Sequence, residues 1–76
     1  MVFRVEGVYS GVSKQGNPFH VLHVVEVERQ AKGLRGYGVA TYYCDPSVAN
    51  SIEPGRMYDL SSGFGSRNVI SAKLVE

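Results

Sequence analysis

Catalysis needs a nucleophile, a base or a metal, and this chain carries few side chains of those kinds. His20 and His23 lie three residues apart, a spacing that puts them on opposite faces of a strand. They do not converge on one ion without ligands from elsewhere, and the single cysteine, Cys44, belongs to another segment. Glu26 and Glu28 share a strand face and have the spacing of an acid–base pair, yet two acids near the end of a strand read first as a solvated face. No Walker loop, Gly-x-Ser-x-Gly elbow or Cys-x-x-Cys pair occurs. The expectation is a protein without catalytic residues, metal or cofactor.

Binding chemistry has more to stand on. From Arg29 to Cys44 the chain holds three cations, Arg29, Lys32 and Arg35, no carboxylate, and the rings of Tyr37, Tyr42 and Tyr43. The acids gather elsewhere, at Glu26, Glu28, Asp45, Glu53 and Asp59, so a formal net charge of +1 averages over unlike surfaces. Phosphate needs cations that can track it, and unstacked bases need flat aromatic faces. Lys14 in the first loop, with Arg67 and Lys73 in the last strand, extends the positive track. The other reading of each tyrosine is an amphipathic ring packed on the fold with its hydroxyl wet.

The elements that must position these residues are strands. Two-residue alternation recurs, and β-branched and aromatic residues, among them five tyrosines and three phenylalanines, favour a pleated surface. Strands are expected over 2–9, 19–28, 37–44, 56–60 and 67–75. The second places Phe19, Val21, His23, Val25 and Val27 opposite His20, Leu22, Val24, Glu26 and Glu28. A long turn over 10–18 holds Gly11, Gly16 and Asn17-Pro18, and a glycine-rich connection runs over 61–66. Asp45 followed by Pro46 marks the start of a short helix with Val48, Ala49 and Ile52 facing inward. Five short strands with one helical insertion predict an all-β fold, a small five-stranded antiparallel barrel of the oligonucleotide-binding (OB-fold) type. Closure removes the sheet edges that so small a protein cannot otherwise hide. An SH3-type barrel is the structural competitor.

The 76 residues make one domain, 1–76, whose core is marginal for its size, and pairing with a second copy or a ligand is a natural source of added stability. Hydrophobic residues at 43% exclude intrinsic disorder, while the shortness of every apolar run excludes a membrane-spanning helix. The first residues, with a charge at Arg4 and alternation after it, do not read as a signal peptide, and one cysteine suits a reducing cytoplasm.

The run Ser10-Gly11-Val12-Ser13-Lys14-Gln15-Gly16-Asn17-Pro18-Phe19 resembles the DNA-binding wing of the filamentous-bacteriophage single-stranded-DNA-binding proteins. That family reads Ser-Gly-apolar-Ser-basic-Gln-Gly-x-Pro-aromatic here. The likeness continues more loosely at Pro54-Gly55-Arg56-Met57-Tyr58, Leu60-Ser61-Ser62, Phe64-Gly65-Ser66 and Lys73-Leu74-Val75. The resemblance implies a barrel with a protruding hairpin wing, a homodimer, and cooperative coating of single-stranded DNA without sequence preference. It places phosphate contacts at Lys14 and Lys73, a wing aromatic against nucleotide at Phe19 with Val21 beside it, a hairpin-tip ring at Phe64 and a loop tyrosine at Tyr37. Two positions depart from the family pattern: basic residues usual there are Tyr9 and Ser71 in this chain. The cations at Arg29, Lys32 and Arg35 are expected to supply the missing charge from another direction.

Two further functions fit the same residues. A small barrel that presents its tyrosines to a protein partner is one. An RNA-binding translational repressor is the other, since stacking platforms do not by themselves distinguish the sugar.

Overall fold

The computed structural model describes residues 1–28, 32–63 and 68–75. Five strands and one helix follow in the order β1 (Val2–Val12), β2 (Pro18–Glu26), β3 (Gly38–Cys44), α1 (Pro46–Ser51), β4 (Met57–Ser62) and β5 (Asn68–Leu74). They close a barrel in the order β1-β2-β3-β5-β4. Every pairing is antiparallel except β3 with β5, which run parallel through Tyr43↔Asn68 and Cys44↔Val69. This order, with a helix bridging β3 to β4, is the oligonucleotide-binding barrel. Among the described residues no helix is long and apolar enough to cross a membrane.

Alternation explains the core. Phe3 and Val5 of β1, Leu22 and Val24 of β2, Cys44 of β3, Tyr58 and Leu60 of β4 and Val69 of β5 point inward, and Val48 of α1 and Ile52 just after it cover the floor. Val5, Leu22 and Val24 are fully buried. Tyr58 keeps its hydroxyl satisfied by accepting the Glu53 N–H at 2.8 Å, as a buried polar tip requires. Pro46 opens α1 as expected, and the Asp45 carbonyl accepts from Val48 and Ala49. The Asp45 side chain does not cap the helix; it accepts instead from Asn68 Nδ2 at 2.8 Å, tying the helix start to β5.

Two irregularities reset the alternation. In β1, Val5 pairs with Val24 but Gly7 with His23, so Glu6 is an extra residue and Val8, not Gly7, next faces the core. In β5, Ser71 pairs with Ser61 and Val69 with Ser62, leaving Ile70 out of the ladder and exposed. Strict alternation opposes Val69 to Ala72; the bulge lets both face inward.

The first hairpin is longer than expected, because β1 runs on to Val12 and β2 begins at Pro18. The turn between them is tight. Ser13 and Asn17 are joined by the Ser13 N–H to the Asn17 carbonyl at 2.8 Å, and the Gly16 N–H closes back on Ser13 at 2.9 Å. Gly16 takes φ 84°, the left-handed position that a five-residue hairpin end needs. β1 pairs with β4 only over Val2–Arg4, and β3 reaches only as far as His20 on β2. Residues 11–19 therefore stand out from the barrel as a two-stranded arm, in keeping with extents of 41 × 25 × 24 Å.

Candidate nucleic-acid interface

The outward side chains of β2 and β3 come from odd-numbered positions. Ladder partners on this face are Val21↔Tyr43, His23↔Thr41 and Val25↔Val39, of which Val25 is itself buried, and β1 adds Tyr9 opposite Val21 and Gly11 opposite Phe19. The face is unusually rich in exposed apolar area: Val39 is 78% exposed, Tyr43 60% and Tyr9 51%. Tyr37, directly before β3, is 55% exposed. A groove of about 430 Å³ runs along it, bordered by Glu6, His23, Val25, Val39 and Thr41. A smaller recess beside it is lined by Val21, Thr41, Tyr42 and Tyr43.

Charge flanks this face at both ends. Lys14 is exposed at the tip of the arm. Lys32 and Arg35 are exposed in the connection from β2 to β3, which lies at the far end of both strands from the arm. Glu6, the carboxylate on the groove, is paired with Arg4 Nε. A neutral aromatic strip between two cationic ends suits a polyanion whose bases are apolar and flat.

The structure brings together some of the expected residues and separates others. Lys14 and Phe19 belong to the arm and Val21 shares the strand face of Phe19 where the arm joins the barrel, with Lys32, Arg35 and Tyr37 at the opposite end. Tyr42 points the other way from its neighbour Tyr43: it packs against the core, its ring edge-on to Phe3 with centroids 5.7 Å apart, and is half-buried at the edge of the recess. Lys73 is exposed on β5 opposite Asp59, whose partner on β1 is Val2, so it sits where β1 begins while Lys14 lies past its end. Arg29, Phe64 and Arg67 lie outside the described residues.

Two rings stand on this face beside the expected contacts, Tyr43 of the cation-and-tyrosine stretch and Tyr9. Tyr43 was legible, since it alternates with Tyr42 and shares a face with Val39 and Thr41. Alternation alone puts Tyr9 on one face with Phe3 and Val5; the extra residue at Glu6 turns it outward instead, where it pairs with Val21, two residues before the Gly11 that pairs with Phe19.

Among the other reactive groups, His20 and Glu28 have structural partners. His20 Nδ1 and Ser10 Oγ, ladder partners on the arm, share a hydrogen bond of 2.7 Å. Glu28 accepts the Val2 N–H, fastening the start of β1. Cys44 is a buried free thiol. Its pKa is raised from 9.0, first by burial and then by the nearby Asp45 charge. Such a thiol is protonated and inert at neutral pH.

Comparison with protein-family models, with curated proteins and with solved structures returns no match.

Proposed function

We propose that the chain binds unpaired nucleic acid, single-stranded DNA foremost, without sequence preference, along the outer face of β1, β2 and β3. The observation that carries this reading is the row of outward rings and apolar side chains, Tyr9, Phe19, Val21, Tyr43 and Val39, on the strand face that this barrel type uses for oligonucleotides. A protein of this size gains stability by burying such groups, and a patch of exposed Tyr9, Tyr43 and Val39 around half-buried Phe19 and Val21 suits a surface that a ligand covers. Stacking on the rings is indifferent to base identity, and the cations at the two ends neutralise phosphate. The wing motif over 10–19 supports DNA and a role in coating strands during phage-type replication, with the chain acting as a homodimer in the host cytoplasm.

Titration of intrinsic tyrosine emission with oligothymidylate, oligouridylate and duplex, in dilute and in near-physiological salt, tests it. Strong quenching by oligothymidylate with steep salt dependence, weaker response to duplex and a dimeric mass by light scattering are expected. Preference for oligouridylate would move the reading to RNA. Indifference to all three in dilute buffer would overturn it and leave a protein-contact role for the same face.

A further inference from the structure

We infer that Tyr9 is a base-stacking residue, held flat with Phe19 in a two-ring platform that exists because Gly11 has no side chain. The inference rests on the proposed function and adds to it a residue, Tyr9, that the wing motif does not supply.

Three facts of geometry make the platform. Gly11 is the ladder partner of Phe19, and Tyr9 lies two residues earlier on the same strand face. The two rings are nearly parallel, 11° apart in plane, with centroids 5.8 Å apart. A Cβ at Gly11 would stand 3.0 Å from Phe19 Cζ, 3.0 Å from Tyr9 Cε2 and 3.1 Å from the Tyr9 hydroxyl. The rings therefore lean over the bare backbone from two directions and meet above it. Aromatic cover of a cross-strand glycine is a known device for pinning a hairpin register, and here it also fixes the plane of each ring.

Ligand chemistry follows from what stays exposed. Tyr9 is 51% exposed although it touches both Phe19 and Gly11, so a flat surface faces solvent. A flat, uncharged surface of this kind, already oriented, takes an unpaired base without the ordering cost of a free side chain. The row continues across the sheet: Tyr9 pairs with Val21 and Val21 with Tyr43, which puts the two tyrosines roughly 10 Å apart over a valine floor. Tyr43 is thus the next ring beyond the platform. The tyrosine trades a phosphate contact for a stacking contact, so the arm leans on bases more than on charge.

The test compares oligothymidylate with an oligomer of the same length made of abasic residues, which keeps the phosphates and removes the bases. Tyr9→Leu keeps apolar bulk and loses the flat face; it should weaken oligothymidylate binding roughly 5- to 100-fold with the salt slope unchanged, and leave abasic binding as it was. Tyr9→Phe should restore the affinity. Gly11→Ala should reproduce the Tyr9→Leu loss at a near-normal melting temperature, because Gly11 lies in extended strand and the crowded atoms are the far ends of two side chains. The platform is refuted if Tyr9→Leu binds oligothymidylate like the parent, if it loses abasic binding equally, or if Tyr9→Phe is as weak as Tyr9→Leu. Failure of the unaltered protein to bind oligothymidylate at all would refute the proposed function itself.

Discussion

Tyr42 and Tyr43 are adjacent in the chain and do different work. Tyr42 is half-buried against Phe3 and the core, whereas Tyr43 stands out from β3 beside Val21. Tyr42→Ala should therefore cost about 2 kcal/mol of stability in urea melts, the usual range for a partly buried ring. Tyr43→Ala should leave the melt nearly unchanged and weaken single-strand binding; equal destabilisation by both would show that the faces are misassigned. Cys44 yields a pH prediction from its raised pKa. Below the ordinary thiol pKa both folded and unfolded chains hold the proton, so pH has no effect through this group. Above it the unfolded thiol ionises while the folded one resists, so stability falls as pH rises through the alkaline range. Urea melts of the parent and Cys44→Ala across that range should show the variant losing less stability. Parallel curves would mean the thiol is not buried.

At the scale of elements, the short helix holds to the barrel through side chains more than through its own six residues. A helix of that length is not stable alone. Val48 buries its inner face, Ile52 directly after it is buried too, and the Asp45–Asn68 hydrogen bond fixes its start against β5 where β3 and β5 run parallel. Asp45→Ala and Asn68→Ala should each cost about 1 kcal/mol, a typical value for a charge-assisted hydrogen bond of this exposure. The double variant should cost clearly less than the sum, since both changes remove one interaction. Strict additivity in chemical denaturation would show that the two side chains act separately. The bulges at Glu6 and Ile70 belong to the same scale. Each changes which residues look inward, and the first lets the arm continue beyond the end of the β1–β4 pairing with its rings on the outer face.

Over the whole molecule, charge and rings are divided along the length of β2 and β3. Lys14 lies beyond one end, Lys32 and Arg35 beyond the other, and the apolar strip lies between. On the proposed reading, a nucleic-acid strand laid along this face meets cations at both ends. Lys14→Ala should reduce the salt slope of oligothymidylate binding by about one, and Lys32→Glu with Arg35→Glu should weaken binding at every salt concentration. Tyr37→Ala should lower affinity with the slope unchanged. A common salt profile for Lys14→Ala and Tyr37→Ala would end this division of labour. Lys73, on β5 where β1 begins, is separated from Lys14 by the length of β1, so both contacts serve one strand only if it wraps the barrel or spans two copies.

Much of the architecture was legible from residues alone because strand periodicity is local. Alternating β-branched and aromatic residues announced five strands, Asp45-Pro46 announced the helix, and Gly11, Gly16 and Asn17-Pro18 announced the hairpin. What alternation does not reveal is which of two apolar faces turns inward. On β2 both candidates were apolar, Phe19, Val21 and Val25 against Leu22 and Val24, and only pairing with β1 and β3 and cover from α1 put the even set in the core cluster, with Val25 buried apart from it. The Glu6 and Ile70 bulges are equally silent in the sequence, because an extra residue is defined by the partner strand it fails to match. The candidate surface depended on both decisions: the chain carried the rings, and long-range hydrogen-bond register decided which of them met water.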